Sequence, residues 1–362
     1  MKHYLLLLLA LALVSCAPPY SAELNSSAGI ARQMTLLGTI GPVNSPDGNS
    51  TTAIKFLPIK PTAATTTLSQ LNTGSGFLVS EVPGSETLRF AFQDSSGNVQ
   101  TTNSVGNFSL AGADPDYPLY EYDVIETTTT ANILVFSPQN NTFQCFEATL
   151  PNGSFQAVTS PPSLLTGLFG GIAVVAAQVF PLYFPLSSAA DRFNFLLPVA
   201  GTQTYMEGTE SFSLPNFLTA STSTTSISLP GGGPRALYYQ GPLGAPSYAS
   251  YFTAGNWVCK QWLPTISPIV PTVTPLTGVT RRIDAVLTNG DLISTQGGTL
   301  TIYDLNGSEL NSVPLGGMQF CYEAYIGTTP YVFFSLSMGF PHQSWAFRIY
   351  AIPTSALQGL KG

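Results

Sequence analysis

The chain has 362 residues, of which 44% are hydrophobic, so it can bury a sizeable core in one large domain or two ordinary ones. Only 9% of the residues are charged, against about 25% in a typical soluble domain, and the net charge is -7. The acidic balance argues against nucleic acid as a partner, because phosphate binding requires clustered Lys and Arg.

The first residues have the pattern of a signal peptide. Lys2 precedes an unbroken apolar run over 4–14, which is too short for a membrane-spanning helix of ~20 residues. The run ends in Leu13-Val14-Ser15-Cys16, which resembles the lipobox of bacterial lipoproteins. The resemblance implies that 1–15 is removed and that Cys16 becomes the lipidated, palmitate-type anchor of the mature chain. An ordinary secretory leader cut near Cys16 is the alternative.

Residues 16–50 are predicted to be a lipidated N-terminus and tether. Pro18-Pro19 and the turn-forming stretch over 45–50 favour coil, although an apolar stretch at 34–37 could already be strand. The expected location is extracytoplasmic, anchored to a membrane by lipid, at the outer membrane or the cell surface.

Residues 51–362 are predicted to form an all-β domain. Short runs of Val, Ile, Phe, Tyr and Thr alternate with turn-forming residues, as in 88–92 and 299–303. Asn289-Gly290 and Asn306-Gly307 are dipeptides typical of two-residue type I′ hairpin turns. An amphipathic surface helix would need more charged residues than this chain has.

A weak internal repeat favours a β-propeller of six or seven blades. Four segments contain an aromatic strand, a polar turn and a second strand ending in Pro; they begin at Ile133, Leu182, Ser250 and Val332. The aromatic residues Phe92, Phe136 and Phe184 are spaced by 44 and 48 residues, which suits a blade of four strands, although the later spacings, to Phe252 and Phe334, are longer. The body resembles generic propeller repeats without a family-specific motif. A tandem pair of β-sandwiches is the alternative.

An uncharged stretch over 148–190 contains the apolar segment 164–180. Seventeen residues with three glycines make a poor membrane helix, and we expect a buried strand or a short core helix instead.

Catalytic motifs are scarce. His342 is the only histidine after the leader, and no G-x-S-x-G elbow, Walker A or G-x-G-x-x-G motif is found. We therefore expect no enzyme activity and no cofactor.

The cysteines Cys145, Cys259 and Cys321 lack C-x-x-C spacing, which argues against a zinc site, and their disulfide pairing stays open.

An acidic cluster is a weak candidate for a Ca²⁺ site. Its members within thirteen residues are Asp114, Asp116, Glu121, Asp123 and Glu126. The EF-hand pattern fails, so a solvated loop that leads into a strand is the simpler interpretation. Two of these carboxylates could alternatively act as the acid and base of glycoside hydrolysis.

Aromatic residues between 238 and 262 are candidates for a binding surface. We single out Tyr238, Tyr239, Tyr251, Trp257 and Trp262. In a β-protein such residues also serve as core and cross-strand packing.

The sequence therefore favours a lipid-anchored envelope protein that presents a non-catalytic surface for a protein or a glycan. The alternatives are a structural subunit of an envelope assembly and a polysaccharide-active propeller enzyme that uses carboxylates.

Overall fold

The described residues form an all-β structure. The computed structural model describes residues 30, 32–44, 53–59, 61, 66–71, 74–82, 87–99, 103–107, 121–126, 130–137, 142–150, 154–157, 191–198, 204–213, 218–228, 236–239, 246–253, 256–263, 272–339 and 344–358. These residues contain 23 strands, two 3₁₀ turns and a short helix, α1 (Thr354–Gln358), and residues 30, 32 and 33 before the first strand are also helical. The expected all-β class is confirmed.

The strands form six antiparallel sheets within the described part of the chain. Sheet 1 contains β2 (Ala53–Pro58), β3 (Gly76–Val82), β4 (Thr87–Gln93) and β5 (Asn103–Asn107). Sheet 2 contains β6 (Glu121–Glu126), β7 (Thr130–Ser137), β8 (Thr142–Thr149) and β9 (Phe155–Ala157). Sheet 3 contains β10 (Asp191–Pro198), β11 (Thr204–Ser213) and β12 (Leu218–Ser228).

Three further sheets follow along the chain. Sheet 4 contains β13 (Ala236–Tyr239), β14 (Ser247–Thr253), β15 (Asn256–Trp262) and β16 (Thr274–Leu276). Sheet 5 contains β17 (Ala285–Val286), β18 (Leu292–Ser294), β19 (Thr299–Tyr303) and β20 (Glu309–Pro314). Sheet 6 contains β21 (Gln319–Ile326), β22 (Thr329–Gly339), β23 (Ser344–Pro353) and, at its far edge, β1 (Thr35–Asn44).

The middle strands of the sheets are buried on both faces. All four residues over 300–303 of β19 are buried, as are Val332, Phe333 and Phe334 of β22. Successive side chains of a strand point to opposite faces, so a run without exposed positions indicates a sheet that is covered on both sides. Sheets 5 and 6 are therefore each covered on both faces.

Apolar clusters join neighbouring sheets. Phe77 and Phe92 of sheet 1 pack with Phe146 of sheet 2, and Leu276 of sheet 4 packs with Leu292 of sheet 5. Another cluster joins sheets 5 and 6. These contacts follow the chain order, as neighbouring blades do.

The last sheet also packs against the first. Phe347 of β23 and Ile40 of β1 lie in one cluster with Phe56 and Leu78 of sheet 1, and the ring centroids of Phe56 and Phe347 are 5.7 Å apart. A contact between the first and last sheets closes a ring, which a tandem pair of sandwiches would not do. The six sheets of the described residues are arranged as blades of a β-propeller.

The ring is closed by the N-terminal strand. β1 pairs antiparallel with β23, with Thr39 opposite Arg348 and Ile40 opposite Phe347. β1 lies within 16–50, the range predicted to be a tether, so part of this segment is the outer strand of sheet 6.

The repeat predicted from aromatic residues corresponds to real hairpins, but its spacing mixes different strands. The units that begin at Ile133, Ser250 and Val332 fall on the second and third strands of sheets 2, 4 and 6. Phe92, however, lies on the third strand of sheet 1, whereas Phe136 lies on the second strand of sheet 2. Leu182 and Phe184 lie outside the described residues.

The Asn-Gly turns differ from the prediction. The N–H of Gly290 donates to the carbonyl of Leu287, and that of Gly307 donates to Asp304, at 2.8 and 3.0 Å. Each glycine is thus the fourth residue of its turn, with φ of 88° and 82°, and a three-residue loop with a bulge replaces the expected two-residue type I′ loop.

The apolar segment 164–180 lies outside the described residues. Among the residues that are described, no helix has both the length and the apolar character to cross a membrane.

Candidate functional site on the inner strands

In a β-propeller the blades are arranged around a central channel, so one edge strand of each blade lies near the axis and the other lies at the periphery. Outer strands are recognised by exposed side chains: Leu36 of β1 is 50% exposed, and Thr274 of β16 and Glu309 of β20 are also exposed. We assign the opposite edge strands, β2, β6, β13, β17 and β21, as the inner strands of their sheets. An axial channel between blades is a common place for a binding site.

Two of the predicted acidic residues lie on an inner strand. Glu121 and Asp123 belong to β6, where they are opposite Phe136 and Leu134 of β7. Because they are two positions apart, they lie on the same face of the strand. Asp114 and Asp116 lie outside the described residues. Within the described chain no group of three or more His, Cys, Asp or Glu residues could hold a metal ion.

Two of the predicted aromatic residues lie on another inner strand. Tyr238 and Tyr239 belong to β13, opposite Ala249 and Tyr248 of β14. Tyr251 lies on β14, the second strand of the same sheet. The fold therefore brings the acidic pair and the tyrosine pair to inner edges of sheets 2 and 4.

The two tryptophans among the predicted binding residues are buried. Trp257 is 6% exposed and Trp262 is 1% exposed, both on β15, the third strand of sheet 4. Trp262 packs in the cluster between sheets 4 and 5 with Ile283 and Leu276. Burial between two sheets explains their apolar character, because an aromatic ring offers a large contact area to the core.

The sequence analysis missed an acidic residue that joins sheets 5 and 6. Glu323 lies on the inner strand β21, and its carboxylate accepts hydrogen bonds from the N–H and hydroxyl of Thr288 at 2.8 and 2.9 Å. A third bond, of 2.7 Å, comes from the hydroxyl of Thr354 at the start of α1. Its only sequence signal is a lone charge in an uncharged strand.

A second polar cluster precedes the inner strand β17. The Nε and Nη2 atoms of Arg282 lie 3.0 Å from Oδ1 of Asp284, and the hydroxyl of Thr295 donates to Oδ2 at 2.6 Å. The N–H of Arg282 donates to the side-chain oxygen of Gln296 at 2.9 Å. This network fixes the chain where it enters sheet 5.

The cysteines lie on different sheets. Cys145 is on β8 of sheet 2 and Cys259 is on β15 of sheet 4, so they do not share a hairpin. Cys259 is a buried free thiol, and its burial raises the pKa to about 12. Cys321 is a half-buried free thiol on β21. His342 and Cys16 lie outside the described residues.

Comparisons with known proteins give remote structural similarity alone. No protein-family model and no curated protein matches the chain. The hemagglutinin-neuraminidase ectodomain of parainfluenza virus 5 is 11% identical, with a TM-score of 0.38, over 98% of this chain and 93% of that one. A GH43_1 enzyme from Xanthomonas citri, complexed with xylose, is 11% identical, with a TM-score of 0.34, over 92% of both chains.

Proposed function

We propose that the protein binds a glycan at the axial face of its propeller. The observation that carries this proposal is the position of Glu121 and Asp123 on one inner strand and of Tyr238 and Tyr239 on another. Carboxylates accept hydrogen bonds from sugar hydroxyls, and tyrosine rings offer flat apolar faces together with a polar tip. A few polar groups beside aromatic rings are typical of a ligand site.

The composition supports a neutral ligand. With 9% charged residues, the protein has little electrostatic attraction to offer to a strongly charged partner. Affinity would then come from stacking and hydrogen bonding. A neutral oligosaccharide provides both, because its ring faces are apolar and its edges carry hydroxyls.

Binding of polysaccharide fragments by the full chain tests the proposal. We expect Tyr238→Ala with Tyr239→Ala, and separately Glu121→Gln with Asp123→Asn, to weaken binding by about ten-fold or more in calorimetry, since lost contacts of ~1.4 kcal/mol correspond to ten-fold. Glu309→Gln is the matched control, because this acid lies on the outer strand β20. Equal affinity in all variants would exclude the inner strands as the site.

A carboxylate-dependent hydrolase is the second candidate function. Glu121 and Asp123 share the strand β6, and glycosidases use two carboxyl groups that flank the scissile bond. If Glu121 and Asp123 act as such a pair, turnover of a polysaccharide follows a bell-shaped pH profile, and Glu121→Gln or Asp123→Asn removes it. Binding of the polysaccharide without turnover would exclude the hydrolase and support the non-catalytic proposal.

We also propose that Cys16 carries the lipid that anchors the mature protein to the membrane. The lipobox resemblance of Leu13-Val14-Ser15-Cys16 supports this. Cys16→Ser is expected to abolish labelling by a palmitate analogue and to release the protein from the membrane fraction. Protease treatment of intact cells then distinguishes a surface protein, which is cleaved, from a periplasmic one, which is protected. Purification of the protein as part of a stable complex would instead favour a structural subunit of an envelope assembly.

A further inference from the structure

Two Asn-Gly dipeptides occupy equivalent turns with different side-chain surroundings. Asn289-Gly290 connects β17 to β18, and Asn306-Gly307 connects β19 to β20. In both turns the glycine has a positive φ, and its N–H is bonded to the carbonyl of the first turn residue. The backbone restraint is therefore the same in the two turns.

The side chain of Asn289 is held at both ends. Its amide Nδ2 donates to Oδ2 of Asp291 at 2.9 Å, and its Oδ1 accepts from the N–H of Asp291 at 3.0 Å. Asp291 is buried, so this pair is shielded from water. The amide carbon of Asn289 can move only after these bonds break.

The side chain of Asn306 is exposed at the tip of its hairpin. In this turn the hydrogen bonds are made to the backbone: Oδ1 of Asp304 accepts from the N–H groups of Asn306 and Ser308 at 2.9 and 2.8 Å. These bonds fix the backbone and leave the amide of Asn306 in solvent.

We propose that Asn306 is a site of spontaneous deamidation and that Asn289 is protected from it. The backbone nitrogen of Gly307 loses its proton to water or hydroxide and attacks Cγ of Asn306. The bond from Cγ to the amide nitrogen breaks, and ammonia leaves with a proton. Water then opens the resulting succinimide at either carbonyl, giving Asp or isoAsp. No oxidant or reductant is required.

The modification falls at a tightly packed point between sheets 4 and 5. A Cβ placed on Gly307 would lie 2.8 Å from Cβ of Leu276 and 3.1 Å from Cγ2 of Val279. IsoAsp adds a backbone carbon directly before this glycine. The hairpin tip has no room to absorb the extra length, so the contact with the chain after β16 must shift.

Peptide mapping of the aged full-length protein tests this proposal. The native protein is incubated at mildly alkaline pH, and deamidation is detected as isoAsp and as a gain of about one dalton in mass. The rate at 306 is expected to exceed the rate at 289 at least about ten-fold, because breaking the side-chain bonds of Asn289 costs ~1.4 kcal/mol or more. Equal rates, or faster change at 289, would overturn the proposal.

Two controls separate the effect of folding from that of the dipeptide. In concentrated urea the two sites are expected to react at similar rates, since both are Asn-Gly. In the folded protein, Asp291→Ala is expected to raise the rate at 289 while that at 306 stays unchanged. If the rates also differ ten-fold in urea, local sequence and not the fold protects Asn289, and the proposal fails.

Discussion

Cys259 illustrates how burial sets the chemistry of a single residue. The side chain lies between sheets 4 and 5 with Tyr248 and Trp262, and the pKa of its thiol is raised to about 12 because the thiolate would lose its hydration. The thiol therefore stays protonated and unreactive at neutral pH, as expected for a structural cysteine.

This burial predicts that the protein becomes less stable at high pH. The pKa of Cys259 rises from 9.0 in the unfolded chain to about 12 in the folded one, so between these values only the unfolded chain releases its proton. The folded state then binds more protons, and the free energy of unfolding falls as the pH rises through this window. Urea titrations below and above pH 9.0 measure the fall.

Cys259→Ala serves as the test variant. It is expected to reduce the pH dependence without removing it, because burial also raises the pKa of Tyr248 to about 12. An unchanged slope in the variant would show that the proton of Cys259 does not contribute. Maleimide labelling located at Cys259 itself by peptide mapping of the native protein would contradict its burial.

At the scale of elements, two hairpins use the same turn. Asp94 directly follows β4 and Asp304 directly follows β19, the third strands of sheets 1 and 5. Each carboxylate accepts hydrogen bonds from the backbone N–H groups two and four residues later, and a glycine with positive φ occupies the third position after it. The local sequence Asp-x-x-Gly thus encodes the connection from the third to the fourth strand.

Asp94 is expected to stabilise its hairpin measurably. Its carboxylate is buried and accepts bonds from the N–H groups of Ser96 and Asn98 at 2.8 and 3.0 Å. Asp94→Ala is therefore expected to lower the free energy of unfolding by about 1 kcal/mol, because two backbone N–H groups of the turn lose their acceptor. Chemical denaturation measures this, with Ser96→Ala as a control at an exposed side chain; equal stability of both variants would refute the role.

At the scale of the molecule, closure depends on a strand that is distant in sequence. β1 supplies the outer strand of sheet 6, and it brings Ile40 and the preceding Ile30 into two buried clusters. Each buried isoleucine contributes about 1.5–3 kcal/mol. Removal of β1 would also leave the edge of β23 unpaired, which favours aggregation.

Truncation tests this closure. A chain that starts at residue 51, the predicted domain boundary, lacks β1 and is expected to melt at a lower temperature than the full chain and to aggregate. A chain that starts at residue 29 keeps Ile30 and β1 and is expected to melt like the full-length protein. Thermal unfolding and size-exclusion chromatography distinguish the two, and equal melting temperatures would show that β1 is dispensable.

The candidate site was predictable only in part. Glu121 and Asp123 stood out because acids are rare in this chain, and Tyr238 and Tyr239 because they are adjacent aromatics. Trp257 and Trp262 looked equivalent to the tyrosines in sequence but are core residues. Glu323 was only a lone charge in an uncharged strand, and its role was not predictable because its partners come from the loop after β17 and from the chain after β23.

The sequence by itself determined that the protein is built of short strands with tight turns. Strand periodicity and residues such as Gly290 and Gly307 act locally, within a few positions along the chain. Only the tertiary structure decided that β1 belongs to the last sheet and that Trp262 is buried between sheets 4 and 5. These outcomes depend on which sheets become neighbours when the ring closes, and contacts between distant segments leave no local pattern.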